Sequence, residues 1–300
     1  MMSIMTRVGV VGLGNIGGAI AANLVADGHE VTVTDLDAER AKAVAGATAV
    51  GSVAEVGAAS EIIITSLPTP EVVAAVAAEW AGAAAPGSIF LDLSTTLPAS
   101  NQDIAAQLAA GGHHFVEAPL TGGAVGAQHR ALVFMVGGDA EPVERVRPLL
   151  DQLGRATIPM GPVGAGTTMK LVNSLLAFTC TWASLEALAM AVAAGIDVRS
   201  AVEVVKTGGA SNFFVDRAVE GINQRGKPAQ FALDLAAKDA GLIQHVADGH
   251  GVSAAMASAM VEVLDDVVAR GPGDRDWSDL VVAVEQRSGV ELTITPKVEA

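Results

Sequence analysis

The apolar and polar positions of this 300-residue chain change rhythm about halfway along. In the first half, short runs rich in Val and Ile alternate with stretches where apolar residues return every three or four positions. RVGVV (7–11), HEVTVTD (29–35), EIIITSLP (61–68), GSIFLDLST (87–95), HHFVEAP (113–119) and ALVFMVGGD (131–139) read as strands, mostly buried on both faces. A short strand includes TAV (48–50). AERAKAVAG (38–46), PEVVAAVAAEW (70–80), ASNQDIAAQLAAGG (99–112) and EPVERVRPLLDQLG (141–154) read as the helices between them. Such alternation predicts a doubly wound, mostly parallel α/β sheet. Near residue 160 it stops. IPMGPVGAG (158–166) reads as a linker, and from Thr167 onward the signals are helical almost throughout. The first of these helices, about Thr167 to Ala194, is long and apolar, but Lys170, Asn173 and Glu186 argue against a membrane span.

The uncharged stretch Val8 to Ala26 has nearly the length of a spanning helix or a secretion signal. Its glycines argue otherwise, since each costs about 1 kcal/mol inside a helix relative to alanine. They also separate a β-branched run from Ile16, Ile20 and Leu24, which recur at helical spacing. The segment therefore reads as strand, glycine turn, helix. Gly12-Leu13-Gly14-Asn15-Ile16-Gly17 fits G-x-G-x-x-G in the context that motif requires. In that pattern the first glycine makes the turn, the second lets a pyrophosphate approach the backbone, and the third lets the helix pack on the strand. Asp35 ends the second strand, eighteen residues after Gly17, where a carboxylate accepts hydrogen bonds from ribose hydroxyls. A carboxylate there repels a 2′-phosphate, which favours NAD over NADP. Asp37 is placed to share the role, and nearby Arg40 leaves NADP open. The chain thus divides into a Rossmann-type NAD-binding domain over 1–163 and an all-helical substrate and oligomerisation domain over 164–300.

Composition narrows the chemistry. Hydrophobic residues are 51% and charged residues 17%, so core material is ample and disorder is not expected. There is no Tyr, which excludes any Tyr-dependent catalysis. A net charge of −15 repels phosphate backbones and anionic headgroups, so neither nucleic acid nor a membrane surface is expected as a partner. The single cysteine, Cys180, allows no intramolecular disulfide and fits a reducing cytoplasm. The histidines show no metal-ligand spacing, and no metal is expected.

Four stretches together resemble the β-hydroxyacid dehydrogenase family, the group of 3-hydroxyisobutyrate dehydrogenases and tartronate semialdehyde reductases. They are Gly12–Gly17; Glu117-Ala118-Pro119-Leu120-Thr121-Gly122-Gly123; the segment Gly161 to Asn173 with glycines ahead of Lys170; and Phe231 to Asp239 with Lys238. GGASN (208–212) adds to the likeness. The resemblance implies that Lys170 is the catalytic acid/base and that Thr121, Gly122, Gly123 and Asn173 bind substrate. It further implies that Leu67, Pro68, Val72 and Thr95 line the nicotinamide side, with Lys238 reaching the cofactor from the helical domain. Its substrates are small hydroxy acids or their semialdehydes, and its members are homodimers or homotetramers.

The residues support these roles on their own terms. Lys170 is the only charge between Arg155 and Glu186. Apolar burial and a helix N-terminus would both depress its pKa, which makes a usable acid/base near neutrality. Asn173 lies three residues on, on the same helical face. A hydroxyl beside bare glycine backbone suits a carboxylate. The chain departs from the family in three places. Thr121 stands for the usual Ser, Ser174 for a second Asn, and Glu117 for an Asp; the sequence assigns Glu117 no role. Two alternatives stay open, an imine reductase-like enzyme, which usually lacks the lysine, and a non-catalytic NAD-binding module. A phosphogluconate-type decarboxylating dehydrogenase would need a much longer helical portion.

Overall fold

The computed structural model describes residues 5–294. Among them are strands β1 (Arg7–Val11), β2 (Glu30–Thr34), β3 (Thr48–Ala49), β4 (Ile62–Thr65), β5 (Ile89–Asp92), β6 (His114–Glu117), β7 (Leu120–Thr121), β8 (Leu132–Gly138) and β9 (Gly154–Gly161). Between them run α1 (Gly17–Ala26), α2 (Ala38–Ala43), α3 (Val53–Ala59), α4 (Pro70–Ala81), α5 (Pro98–Ala110), α6 (Gly123–Gln128) and α7 (Ala140–Leu153). The sheet order is β3-β2-β1-β4-β5-β6-β8-β7, with β9 beside β8. Strands β1 to β6 pair in parallel, β8 runs antiparallel to β6 and β7, and β9 is parallel to β8. The order reverses between β1 and β4, and ligands bind outside the strand ends at such a point.

Side-chain alternation explains why both faces are covered. Ile62 and Ile64 of β4, with Ile89 and Leu91 of β5, turn to one face and pack with Ile20 and Leu24 of α1 and Val146 and Leu150 of α7. Ile63 and Phe90 turn to the other, against Val56 of α3, Val73 and Trp80 of α4, and Ile104 and Leu108 of α5. Each fully buried side chain of this size contributes about 1.5–3 kcal/mol of hydrophobic stabilisation. Period-two burial on both faces is what the unbroken apolar runs encode.

The chain separates into two compact units after Leu171. Helix α8 (Ala165–Ala193) begins in the first. The second unit continues through α9 (Val198–Thr207), α10 (Phe213–Asn223), α11 (Leu233–Gly249), α12 (Ala255–Ala269) and α13 (Leu280–Ser288). Within it Phe178 of α8 packs on Trp277, with ring centroids 4.8 Å apart, and on Phe231. By length and composition alone α8 is able to cross a membrane, yet Leu171, Phe178, Trp182, Leu185 and Leu188 along it are buried in the protein.

Two local expectations need correction. Ile158–Gly161, read as linker, belongs to β9, because its backbone pairs with β8 despite Pro159. Helix α3 is a further element. Its signal is a capping box, in which Ser52 Oγ accepts from Glu55 N at 3.2 Å and the Glu55 carboxylate accepts from Ser52 Oγ and Gly51 N at 2.9 Å.

Candidate active site at the strand ends

At the switch point the glycine motif is shaped by backbone. Gly12 adopts φ +87°, and its N–H donates to Thr34 O across to β2. A Cβ on Gly17 would collide with the Gly12 carbonyl oxygen, so the third glycine permits the close turn. Gly14 is different: exposed, with no atom within 4 Å of where its Cβ would stand. That open ground is where a pyrophosphate would meet the backbone. Helices α2, α3 and α4 are capped by the side chains of Asp37, Ser52 and Thr69. Helix α1 has Ile16 at its N-cap, no side-chain cap and no acidic residue in its first turn. The positive end of its dipole is left for an anion.

Asp35, just past β2, sits against the same turn. One carboxylate oxygen accepts from Leu13 N at 2.6 Å, the other from Asp37 N at 2.8 Å. Asp37 caps α2 through Glu39 N at 3.0 Å and faces Arg40 at 3.6 Å. Arg40 is thus paired with a carboxylate. Gly12, Leu13, Gly14, Asn15, Ile16, Gly17 and Asp35 therefore lie together.

Leu67, Pro68 and Thr95 follow the ends of β4 and β5, and Val72 sits in the first turn of α4. Leu67 N donates to Ser94 Oγ at 2.9 Å, tying the two loops. Beneath them lies Asp92, wholly buried at the end of β5. Its Oδ1 accepts from Thr65 Oγ1 at 2.7 Å, Ser94 Oγ at 2.6 Å and Ser94 N at 3.1 Å, while Oδ2 meets no protein donor among the described residues. Burial pushes the Asp92 carboxyl up to about 6; the bonds from Ser94 and Thr65 oppose the rise, and the charge of Glu117 adds to it.

Glu117 ends β6, in register with Asp92 and equally buried. Its Oε1 accepts from the backbone N–H of Gly164, Gly166 and Thr167 at 2.8, 2.7 and 3.1 Å. Its Oε2 accepts from Thr167 Oγ1 at 2.9 Å and Asn101 Nδ2 at 2.7 Å. Those backbone groups open α8, and Lys170, half-buried, follows Thr167 within a turn. Strand β6 runs on through Pro119 into Thr121–Gly122–Gly123, where Gly122 and Gly123 take φ +125° and +63°. A side chain is strained at either value. Asn173 stands three residues beyond Lys170 on α8, in the second unit. Lys238, on α11 of that unit, pairs with Asp239 at 2.8 Å.

The sequence reading missed Thr65, Asp92, Ser94, Asn101 and Thr167, and gave Glu117 no part. A signal was present for two of them: IFLD (89–92) and HFVE (114–117) each end an apolar strand on an acid with no Lys or Arg in the run. A buried carboxylate must find donors from afar.

Residues 7–161 match the NAD-binding domain of 6-phosphogluconate dehydrogenase, and residues 164–284 match the NAD-binding domain of NADP-dependent 3-hydroxyisobutyrate dehydrogenase. The chain is 33% identical over 294 residues to 2-(hydroxymethyl)glutarate dehydrogenase of Eubacterium barkeri, covering 96% of this chain and 97% of that protein. It is 31% identical over 286 residues to the NAD-dependent L-serine dehydrogenase of Pseudomonas aeruginosa, covering 91% and 96% respectively. A solved structure of Mycobacterium tuberculosis 3-hydroxyisobutyrate dehydrogenase with L-serine superimposes with a TM-score of 0.86 at 30% identity, covering 94% of this chain and 99% of the other. Motif, sheet order and relatives converge: the chain belongs to the β-hydroxyacid dehydrogenase family and is an NAD-dependent hydroxyacid dehydrogenase of the 3-hydroxyisobutyrate dehydrogenase type.

Proposed function

We propose that the enzyme oxidises a small acid whose primary alcohol stands one carbon from its carboxylate, or reduces the matching semialdehyde, with Lys170 as acid/base. One observation carries this reading. The turn that leads to Lys170 is fastened to the end of β6, and β6 continues into Thr121–Gly123. A proton-transfer group and a bare-backbone anchor thus issue from the two sides of one junction.

Nicotinamide, when bound, supplies the hydride acceptor or donor. Gly12–Gly17 would hold its pyrophosphate, Asp35 its adenosine ribose, and Leu67, Pro68, Val72 and Thr95 would line its reactive end. The Thr121 hydroxyl and the backbone of Gly122–Gly123 bind the substrate carboxylate. Lys170 Nζ takes the proton from the substrate hydroxyl during oxidation and returns it to the oxygen during reduction. Asn173 and Lys238 lie in the second unit, and their substrate and cofactor roles rest on family resemblance. Two relatives named above act on 2-(hydroxymethyl)glutarate and L-serine. Both compounds carry CH2OH on the carbon that bears a carboxylate, which supports the substrate class. Met169, Val172 and Leu176, exposed and at helical spacing on α8, fit a homo-oligomer.

Initial rates of NAD and NADP reduction test the reading over 3-hydroxyisobutyrate, glycerate, 3-hydroxypropionate, L-serine and 3-hydroxybutyrate. The expected result is turnover of at least one primary alcohol, with NAD preferred. No turnover of these acids together with NAD(P)H oxidation on an added cyclic imine would replace it with the imine-reductase reading. NAD binding without turnover of any substrate would leave a binding module.

A further inference from the structure

We infer that Glu117 is a positioning residue for the reaction: its buried carboxylate fixes the first turn of α8, and so Lys170, relative to the substrate segment and the loop that carries Thr95. The inference rests on the Lys170 reading above.

The geometry is unusually complete for a side chain with no assigned role. The first N–H groups of a helix have no partner within the helix. At α8 three backbone N–H groups in and just before the first turn, those of Gly164, Gly166 and Thr167, converge on Glu117 Oε1. The other oxygen takes the Thr167 hydroxyl and the Asn101 amide. Asn101 Nδ2 also donates to Thr167 Oγ1 at 2.9 Å, and Asn101 Oδ1 accepts from Thr96 Oγ1 at 2.8 Å. Thr96, Asn101, Glu117 and Thr167 are all wholly buried. One carboxylate therefore joins the start of α8 to the end of β6 and the start of α5, about fifty and sixty-six residues earlier, and reaches the loop after β5 through Asn101.

The space for this junction is built in. A Cβ on Gly137 of β8 would run into Glu117 Oε1, and one on Gly166 would run into the Met135 carbonyl oxygen. Both glycines let backbone close on the carboxylate. Its donors include three backbone N–H groups, a hydroxyl and an amide. These are groups whose directions are set by the fold, so the carboxylate transmits position as well as neutralising the helix end. Lys170, three residues after Thr167, has its azimuth and height along α8 fixed by this attachment.

The test compares Glu117→Gln and Glu117→Asp with the unaltered enzyme. Gln keeps the size but replaces one acceptor oxygen with a donor that faces donors already in place. Asp keeps the charge one methylene short. For Glu117→Gln, kcat should fall at least about tenfold while KM for NAD stays within about twofold, because a misplacement of about 1 Å can cost about a hundredfold in rate. Glu117→Asp should recover part of that loss. Without cofactor, hydrogen exchange should quicken in the peptide covering residues 164–170 of Glu117→Gln and stay unchanged in peptides from β1 and α1. Unchanged kcat together with unchanged exchange over 164–170 would overturn the inference. A loss shared equally by kcat, NAD affinity and exchange throughout the unit would reduce Glu117 to a stability residue and overturn it as well. If Glu117→Gln does not fold, Thr167→Val, which removes one donor and keeps the backbone, should show the same kcat-only loss to a smaller degree; wild-type kcat in that variant would count against the inference. Lys170→Ala assayed alongside separates the two readings. An active Lys170→Ala enzyme sinks the acid/base assignment, whereas an inactive one beside an unaffected Glu117→Gln sinks only the positioning role.

Discussion

Two regions at the C-terminal ends of the same sheet solve the same problem with opposite materials. At β1, β2 and β4 the site is made by leaving side chains out, so that Gly12 and Gly17 permit a close turn and Gly14 leaves open ground for a ligand before an uncapped helix. At β5, β6 and the start of α8 it is made by burying side chains, and Glu117 and Asn101 take up the backbone and hydroxyl groups around them. The first region keeps space open to bind. The second consumes its donors to hold Lys170 still. Asp92 belongs to the second region but stands apart from Glu117 beside it. Glu117 has a partner for each oxygen, whereas Asp92 has all its donors on one.

The strongest challenge to this contrast is Gly17→Ala. Its new methyl meets a backbone oxygen that cannot step aside, so a loss of about 3 kcal/mol or more is expected, at the upper end of overpacking costs. Urea denaturation checks this; unchanged stability would mean that the third glycine is not needed for packing. Next is Asp92→Asn. The folded carboxyl titrates near 6 and the unfolded one near 3.8. Below about 4 both hold their proton, so Asp92 costs nothing there; its contribution to stability declines as pH rises through 6 and then levels off. The decline amounts to about 3 kcal/mol. Stability measured at pH 4.5 and 7.5 should fall less steeply in Asp92→Asn, and parallel curves would refute the raised pKa.

Smaller effects separate binding from packing. Gly14→Ala adds a methyl to open space, so stability should stay within about 0.5 kcal/mol. NAD affinity, followed by fluorescence titration, should drop by about tenfold, or about 1.4 kcal/mol. Unaltered affinity would move the pyrophosphate away from this glycine. The smallest expected change is Asp35→Ser, which should narrow the NAD-to-NADP preference by about threefold to fivefold by removing a charge that repels a 2′-phosphate. An unchanged ratio would show that Asp35 serves only to hold Leu13 N and Asp37 N.

These regions also differ in how far the chain itself reveals them. The cradle was legible because its rule is local: six residues from Gly12 to Gly17, then a carboxylate at the end of the next strand. The strands and most helices were legible through periodicity, and the family through the order of its motifs. The buried network was not, since Glu117 bonds groups about fifty residues later and Asn101 joins both. No short-range pattern records which strand end will lie under which helix start. The Ile158–Gly161 edge strand escaped for a related reason. Two of its four residues are Gly and Pro, and only pairing with β8 makes it a strand.

The account stands on Lys170. The most direct measurement is kcat of Lys170→Ala on the best hydroxy acid, with NAD affinity determined on the same preparation. The account predicts unchanged NAD binding and turnover lower by at least about a hundredfold, the lower bound for a general acid/base. Turnover within a few-fold of the unaltered enzyme, with NAD still bound, would contradict it.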